Sequence, residues 1–380
     1  MPKFTPLFIL SLSATLLMVG VGMIVALLPQ RVFAATGSLE SVGLIASAFA
    51  FAYLLCQLPI GVLSDRYGPK LFLTLGYITC GTAGLVFFFA QDEQATYIGR
   101  ALQGLGEAPI WALGPALLSL AYPDAKGRAI GIYNATIHAG LALGPLLGLL
   151  ITPDSQSSLP FLVFACLCFG AGIIVFLGLG KNIRQTRTKQ IIISVHQLAA
   201  IFRQRNITIT LLGVLLYGGG YGVFISVLPI SLAVSNELDT TAIALLFVVF
   251  YAAISIAQLI AGPLSDRFGR WSFMMWGMAA AAIGIMALQA FSGIWVLLPL
   301  GIASAGLGVF CVASITVLNE NVSDTFKGTI SGIYYFFWAT GYMIGPLLIG
   351  ALATISPLIG YSVLGVVLAL YSLMIWFIRR

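Results

Sequence analysis

Twelve stretches of about twenty apolar residues follow one another along this chain, and that succession constrains its fold more than any other feature. They run over Leu7–Leu28, Ser41–Leu63, Leu71–Ala90, Thr96–Leu120, Ala129–Ile151, Leu159–Leu179, Ile207–Leu232, Thr240–Leu264, Ser272–Phe291, Ile294–Leu318, Thr329–Ala353 and Pro357–Phe377. A helix of ~20 apolar residues crosses the hydrocarbon core of a bilayer. The runs are too long for membrane strands and lack the alternation that strands require. Only 8% of the residues are charged. A soluble domain needs about a quarter of its residues charged to cover its surface, so this surface is expected to face lipid. The expectation is an all-α membrane protein with twelve transmembrane helices.

The net charge of +6 does not indicate a nucleic-acid partner, because the basic residues are sorted rather than clustered on one binding face. Of 18 Lys and Arg, 16 fall at one end of the spans; Arg31 lies on the other side and Arg100 within a span. The positive-inside rule then places both termini in the cytoplasm of an inner-membrane protein. The first span is too long for a cleaved leader, despite Ala34–Ala35 after it, and eleven more spans follow. The five cysteines all lie in apolar runs, and Cys166 and Cys168 face apart on a helix. No disulfide, metal site or cofactor is expected.

The chain repeats itself. GVLSDRYGPK at 61–70 returns as GPLSDRFGRW at 262–271, KGRAIGIYN at 126–134 as KGTISGIYY at 327–335, and GLALGPLLG at 140–148 as GYMIGPLLI at 341–349. All three matches share one offset of 201 residues. Each copy holds six spans, so the halves are parallel repeats forming two six-helix pseudo-symmetric bundles, residues 1–180 and 207–380. Residues 181–206 join them as a basic, partly amphipathic cytoplasmic segment, with apolar residues at Ile191–Ile193 and Leu198–Ile201. Two parallel halves imply a solute path between them near the midplane.

Three motifs carry a resemblance. The loop after the second span reads Gly61-Val-Leu-Ser-Asp65-Arg66-Tyr-Gly68-Pro-Lys70 and is matched at Gly262, Asp266, Arg267, Gly269 and Arg270. The fourth span carries Arg100-Ala-Leu-Gln103-Gly104-Leu-Gly106, and the fifth carries Gly140, Gly144, Pro145 and Gly148. With these the chain resembles the major facilitator superfamily over its whole length, and within it the twelve-helix drug:proton antiporters. Pro69 departs from the usual loop pattern, where arginine or a similar residue stands. The resemblance implies helices 1, 4, 7 and 10 lining a cavity. It also implies a role for the fifth-span glycines in keeping an export path from leaking; close packing alone is the other reading of Gly140, Gly144, Pro145 and Gly148, and of their counterparts Gly341, Gly345 and Pro346.

The loop has a physical reading of its own. Asp65 is too costly to bury unpaired, and a helix N-terminus offers free N–H groups with partial positive charge. Asp65 is therefore expected to meet the start of the eleventh span near Lys327–Gly328, and Asp266 the start of the fifth near Lys126–Arg128. Such contacts would gate the cytoplasmic ends; a solvated turn is the alternative. Glu320 is expected to pair with Arg267 or Arg270.

Two charges lie deep in a span, Arg100 and Glu107, seven residues apart and on one helical face with Gln103 and Trp111. Arg100 is expected to lean away from Glu107. A carboxyl at mid-depth suits a proton carrier, with His138 at similar depth as a relay; a neutral acid bonded to a neighbouring helix is the alternative. Candidate solute contacts are Arg100, Gln103, Trp111, Asn134, Tyr217 and Tyr221, the last two flanking Gly218–Gly220, which also reads as a hinge. Gln57 and Gln258 are expected to make helix–helix hydrogen bonds. No phosphate-binding loop or nucleophile–base set occurs, so the chain is not expected to be an enzyme or ATP-driven. The expected function is secondary, proton-coupled efflux of a small organic solute by a monomer in the bilayer. The alternatives are an uptake carrier for an organic acid or metabolite, and a lipid flippase or non-transporting sensor.

Overall fold

The computed structural model describes residues 5–25, 27–36, 39–151, 157–180, 201–225, 228, 232, 240–355 and 357–379. Each of the twelve apolar stretches is helical there, and no strand occurs among the described residues. The helices are α1 (Pro6–Val25), α2 (Leu27–Thr36), α3 (Leu39–Tyr67), α4 (Pro69–Phe89), α5 (Glu93–Ala121), α6 (Lys126–Ile151), α7 (Leu159–Gly178), α8 (Arg205–Ile225), α9 (Thr240–Phe268), α10 (Arg270–Ala287), α11 (Leu297–Glu320), α12 (Lys327–Ile355) and α13 (Pro357–Arg379). Among the described residues, nine helices are long and apolar enough to cross a membrane unaided by a partner segment. The joining segment, up to Ala200, lies outside the described residues.

Helical structure after the first span runs on to Thr36, past the expected boundary at Leu28, and takes Arg31 with it. The reason is local: the Arg31 guanidinium finds the carbonyls of Phe87 and Ala90 and the hydroxyl of Ser158, and lies 5.3 Å from the centre of the Phe161 ring. The two carbonyls sit at the C-terminal end of α4, where carbonyls lack helical partners, and Ser158 stands just before the first turn of α7.

The repeat is visible in the backbone. Gly68, before α4, has φ 96° and ψ 137°; Gly269, before α10, has φ 94° and ψ 138°. That region is open to glycine and closed to most other residues. Pro69, the departure from the family loop, is the first residue of α4. A helix has no use for the N–H there, so proline fits at no cost.

The chain forms two compact units: Met1–Pro123 with Thr136–Ile193 and Val322–Phe336, and Asp124–Ala135 with Ser194–Asn321 and Phe337–Arg380. In the first, α3 and α4 pack on α5, and α7 on α4; in the second, α9 and α10 pack on α11, and α13 on α10. Glycines set these crossings. A Cβ on Gly76 of α4 would stand 2.6 Å from the Gly106 carbonyl of α5, and one on Gly277 of α10 2.8 Å from the Gly306 carbonyl of α11. In lipid, where helices gain little from burying apolar surface, such close backbone packing supplies much of the attraction.

Candidate functional site

The loop after α3 holds its aspartate against a helix start far along the chain. Asp65 accepts hydrogen bonds from the backbone N–H of Gly328 (3.0 Å) and of Thr329 (2.9 Å), and from the Thr329 hydroxyl (2.5 Å). All three belong to the first turn of α12, within the first unit. In the second unit Asp266 accepts from the N–H of Gly127 (2.9 Å) and Arg128 (2.8 Å), in the first turn of α6. First-turn N–H groups have no partner within their own helix, and the helix dipole adds positive potential. One carboxylate thus supplies two missing acceptors at each place, as the loop chemistry predicts.

Glycine makes this approach possible. A Cβ on Gly61 would lie 2.8 Å from the Gly328 carbonyl, and one on Gly262 2.5 Å from that of Gly127. The surroundings then differ. Asp266 also bonds Arg270, whose guanidinium donates to Glu320 (3.0 Å) and to the Ser265 hydroxyl (2.8 Å). Arg270, not Arg267, is therefore the partner of Glu320; Arg267 lies over the Phe268 ring, as Arg66 does over Tyr67. Lys70 donates to the Leu179 carbonyl at 2.6 Å, just past the end of α7.

Inside α5 the polar side chains form one row. Arg100 Nη1 donates to Gln103 Oε1 (2.9 Å), Gln103 Nε2 donates to Glu107 Oε1 (2.8 Å), and Trp111 Nε1 donates to Glu107 Oε2 (3.3 Å). Spacings of three and four residues put these side chains on one face. The guanidinium does not turn away from Glu107 as expected. It reaches one turn along the helix, because Gln103 offers an acceptor that lipid and the apolar neighbours do not. Arg100 Nε also donates to the Ile45 carbonyl of α3 (3.3 Å), and its guanidinium lies 4.7 Å from the centre of the Phe49 ring. Gln103 and Glu107 are buried; Arg100 and Trp111 are half-buried.

His138 is buried on α6, and its ring meets the Trp111 ring at 6.1 Å. Trp111 therefore touches both Glu107 and His138, and also packs 5.9 Å from the Tyr335 ring of α12. Asn134, a turn before His138 but part of the second unit, donates to Cys311 Sγ at 3.8 Å. Tyr217 and Tyr221 are buried in an aromatic cluster of that unit, with Phe250, Phe310, Trp338 and Tyr342. The last four escaped the sequence reading. The spacing of Tyr335, Trp338 and Tyr342 along one helical face was the available signal.

The glutamines overturn an expectation. Gln57 and Gln258 are fully buried, yet among the described residues neither amide nitrogen nor amide oxygen has a hydrogen-bond partner. Their helices cross neighbours at glycines: a Cβ on Gly332 would lie 2.5 Å from the Gln57 carbonyl, and one on Gly131 2.5 Å from that of Gln258. Glycine gives the close approach but carries no polar side chain to meet the amide.

On α6, a Cβ on Gly140 would lie 2.9 Å from the Thr15 carbonyl, and one on Gly144 2.5 Å from the Gly22 Cα of α1. Gly148 has room, its nearest neighbour 3.6 Å away. In α12, Gly341 and Gly345 press on Leu215 and Gly219 of α8, and Pro346 lies close to Gly222.

An all-α, multi-pass membrane chain built on one pattern twice, with a glutamate buried midway along α5, has the architecture of a secondary transporter. Residues 10–215 and 210–380 match the Major Facilitator Superfamily. This chain belongs to that family, whose members carry small molecules across membranes and are not enzymes. It is 25% identical over 360 residues to the class C tetracycline resistance protein of Escherichia coli, covering 90% of this chain and 88% of that one. It is 24% identical over 386 residues to the quinolone resistance protein NorA of Staphylococcus aureus, covering 96% and 95%. Among solved structures it resembles the E. coli fucose:proton symporter, with TM-score 0.79, 18% identity, and 99% and 98% of the two chains covered.

Proposed function

We propose that this transporter is a proton-coupled exporter of a small organic solute, working by alternating access as a monomer. It sits in the cytoplasmic membrane with both termini inside, and residues 1–180 and 207–380 act as its halves, joined through 181–206. The observation that carries the reading is the Glu107 carboxyl, buried mid-helix with each oxygen facing a donor. A carboxyl so placed has the means to take up and release a proton while staying shielded from bulk water. Two relatives named for drug resistance support the outward direction.

In this reading His138 pairs with Glu107 in proton passage. Arg100, Gln103 and Trp111, with Asn134, Tyr217 and Tyr221 of the second unit, are the proposed solute contacts. The Asp65 and Asp266 contacts, with Gly61, Arg66, Gly68 and Lys70 and with Gly262, Arg267, Gly269, Arg270 and Glu320, are proposed as releasable gates. Gly140, Gly144, Pro145 and Gly148, and Gly341, Gly345 and Pro346, keep their helices in tight contact.

The test is transport in liposomes under an imposed pH gradient, with tetracycline and a quinolone as first probes. Opposed proton and solute flow is expected. Glu107→Gln should abolish gradient-driven transport and spare counterflow, since the amide keeps size and hydrogen bonding but exchanges no proton. Joint flow of proton and solute would make the protein an uptake carrier, and no flow of either a flippase or sensor. Retained uphill transport in Glu107→Gln would move the proton role to His138.

A further inference from the structure

We propose that Gln103 is a positioning residue that makes the hold on Arg100 depend on whether Glu107 carries a proton. The inference rests on the reading of Glu107 as the proton carrier and assigns Gln103 a role other than solute contact.

Donors and acceptors fix the orientation of Gln103. A guanidinium only donates, so the Gln103 oxygen must face Arg100. The amide nitrogen is then left facing Glu107, where it donates to Oε1 at 2.8 Å. The indole N–H of Trp111 also only donates, and it occupies Oε2. Both carboxyl oxygens thus face donors, an arrangement that suits the ionised form. A proton arriving on either oxygen makes a new O–H donor that needs an acceptor in a buried place. Trp111 cannot accept. Gln103 can, by turning its amide about the terminal torsion, which is soft. The turn brings the amide nitrogen to Arg100, donor against donor, and that hydrogen bond is lost. Arg100 retains the 3.3 Å bond to the Ile45 carbonyl and its place at the Phe49 ring, both on α3. One proton gained at Glu107 therefore changes how tightly α5 grips α3, the helix whose far end carries Asp65.

The other groups around Glu107 do not substitute for this relay. The thiols of Cys80 on α4 and Cys168 on α7 are buried beside this row, and Cys80 donates to the Gln103 backbone carbonyl at 3.9 Å. On α3, Tyr53 lies beside Gly104, and on α6 the His138 ring meets Trp111. None stands between Glu107 and Arg100.

The test needs no transported solute. Hydrogen exchange of the α3 segment around Ile45–Phe49, corrected for intrinsic rates, is followed against pH in the purified full-length protein, and the infrared band of protonated Glu107, assigned by its loss in Glu107→Gln, tracks proton uptake. Exchange in the wild type should quicken roughly tenfold as the band grows, the scale of one charged hydrogen bond. Gln103→Leu removes both bonds, and Gln103→Glu accepts from Arg100 in every state; both should give exchange that no longer follows pH, with melting curves confirming that they fold. Wild-type-like pH dependence in either variant, or wild-type exchange that stays flat while the band grows, would overturn the proposal. So would pH dependence that survives in Glu107→Gln, which would make His138 the sensor. A band that never appears would instead remove the proton-carrier reading, and this inference with it.

Discussion

The carboxylate of Asp65 accepts the backbone N–H of Thr329 at 2.9 Å and the hydroxyl of the same residue at 2.5 Å, so one side chain closes on one residue 264 positions away. Asp65→Asn keeps the shape but swaps one acceptor oxygen for a donor, which then opposes an N–H. The contact should weaken by about 1–2 kcal/mol, the usual worth of an N-terminal cap with its charge. A single cysteine at buried Ser331, in a background freed of native cysteines, should label severalfold faster in Asp65→Asn while the melting temperature changes little. Unchanged labelling would leave the loop a simple turn.

The unpartnered amides of Gln57 and Gln258 predict the opposite sign. A buried polar group without a partner costs about 1–3 kcal/mol. Gln57→Leu and Gln258→Leu, similar in volume, should each raise the melting temperature in detergent. Gln57→Leu should also slow labelling at Ser331, because Gln57 lies where α3 crosses Gly332. A lower melting temperature in both variants would mean that the amides are satisfied.

Glycine substitutions along α6 should sort by space rather than by sequence pattern. Gly144→Ala drives a methyl onto Gly22 and the Val19 carbonyl, both backbone and unable to yield. Overpacking of this kind costs roughly 1–3 kcal/mol. Gly148→Ala meets only ordinary contacts near Met23 and should be neutral in the same melt. Equal effects at the two positions would contradict the packing described for α1 and α6.

The split of basic residues predicts the orientation of the loops. A reporter at Lys189 should read cytoplasmic and one at Asp92 periplasmic. Opposite labelling at either would reverse the assignment of sides.

Much of this was legible before any coordinates. The helical fold follows from apolar length, because backbone in lipid must satisfy itself and helices do so. The Asp65 and Asp266 contacts followed from the cost of an unpaired charge and from a motif written twice. Less legible were features set by side-chain direction. Arg100 was expected to lean away from Glu107, yet an acceptor one turn off captures it. Gln57 and Gln258 were expected to bond across helices, but sequence does not say how closely two backbones pass, and at Gly332 and Gly131 they pass too closely for a partner. Trp338 and Tyr342 were overlooked because aromatic residues on an apolar helix look alike until their neighbours are known.

The two aspartate contacts, alike in backbone, differ in how they meet dissolved ions. Asp266 shares Arg270 with Glu320, and the side chains of Arg270, Asp266 and Glu320 are 11%, 18% and 36% exposed. Asp65 leans on neutral amides and a hydroxyl. Charges that face water are screened over about 8 Å at physiological ionic strength and about 3 Å at 1 M. Raising salt should loosen the Asp266 side and leave the Asp65 side nearly untouched, so ionic strength becomes a means of uncoupling two contacts that arose as copies of each other.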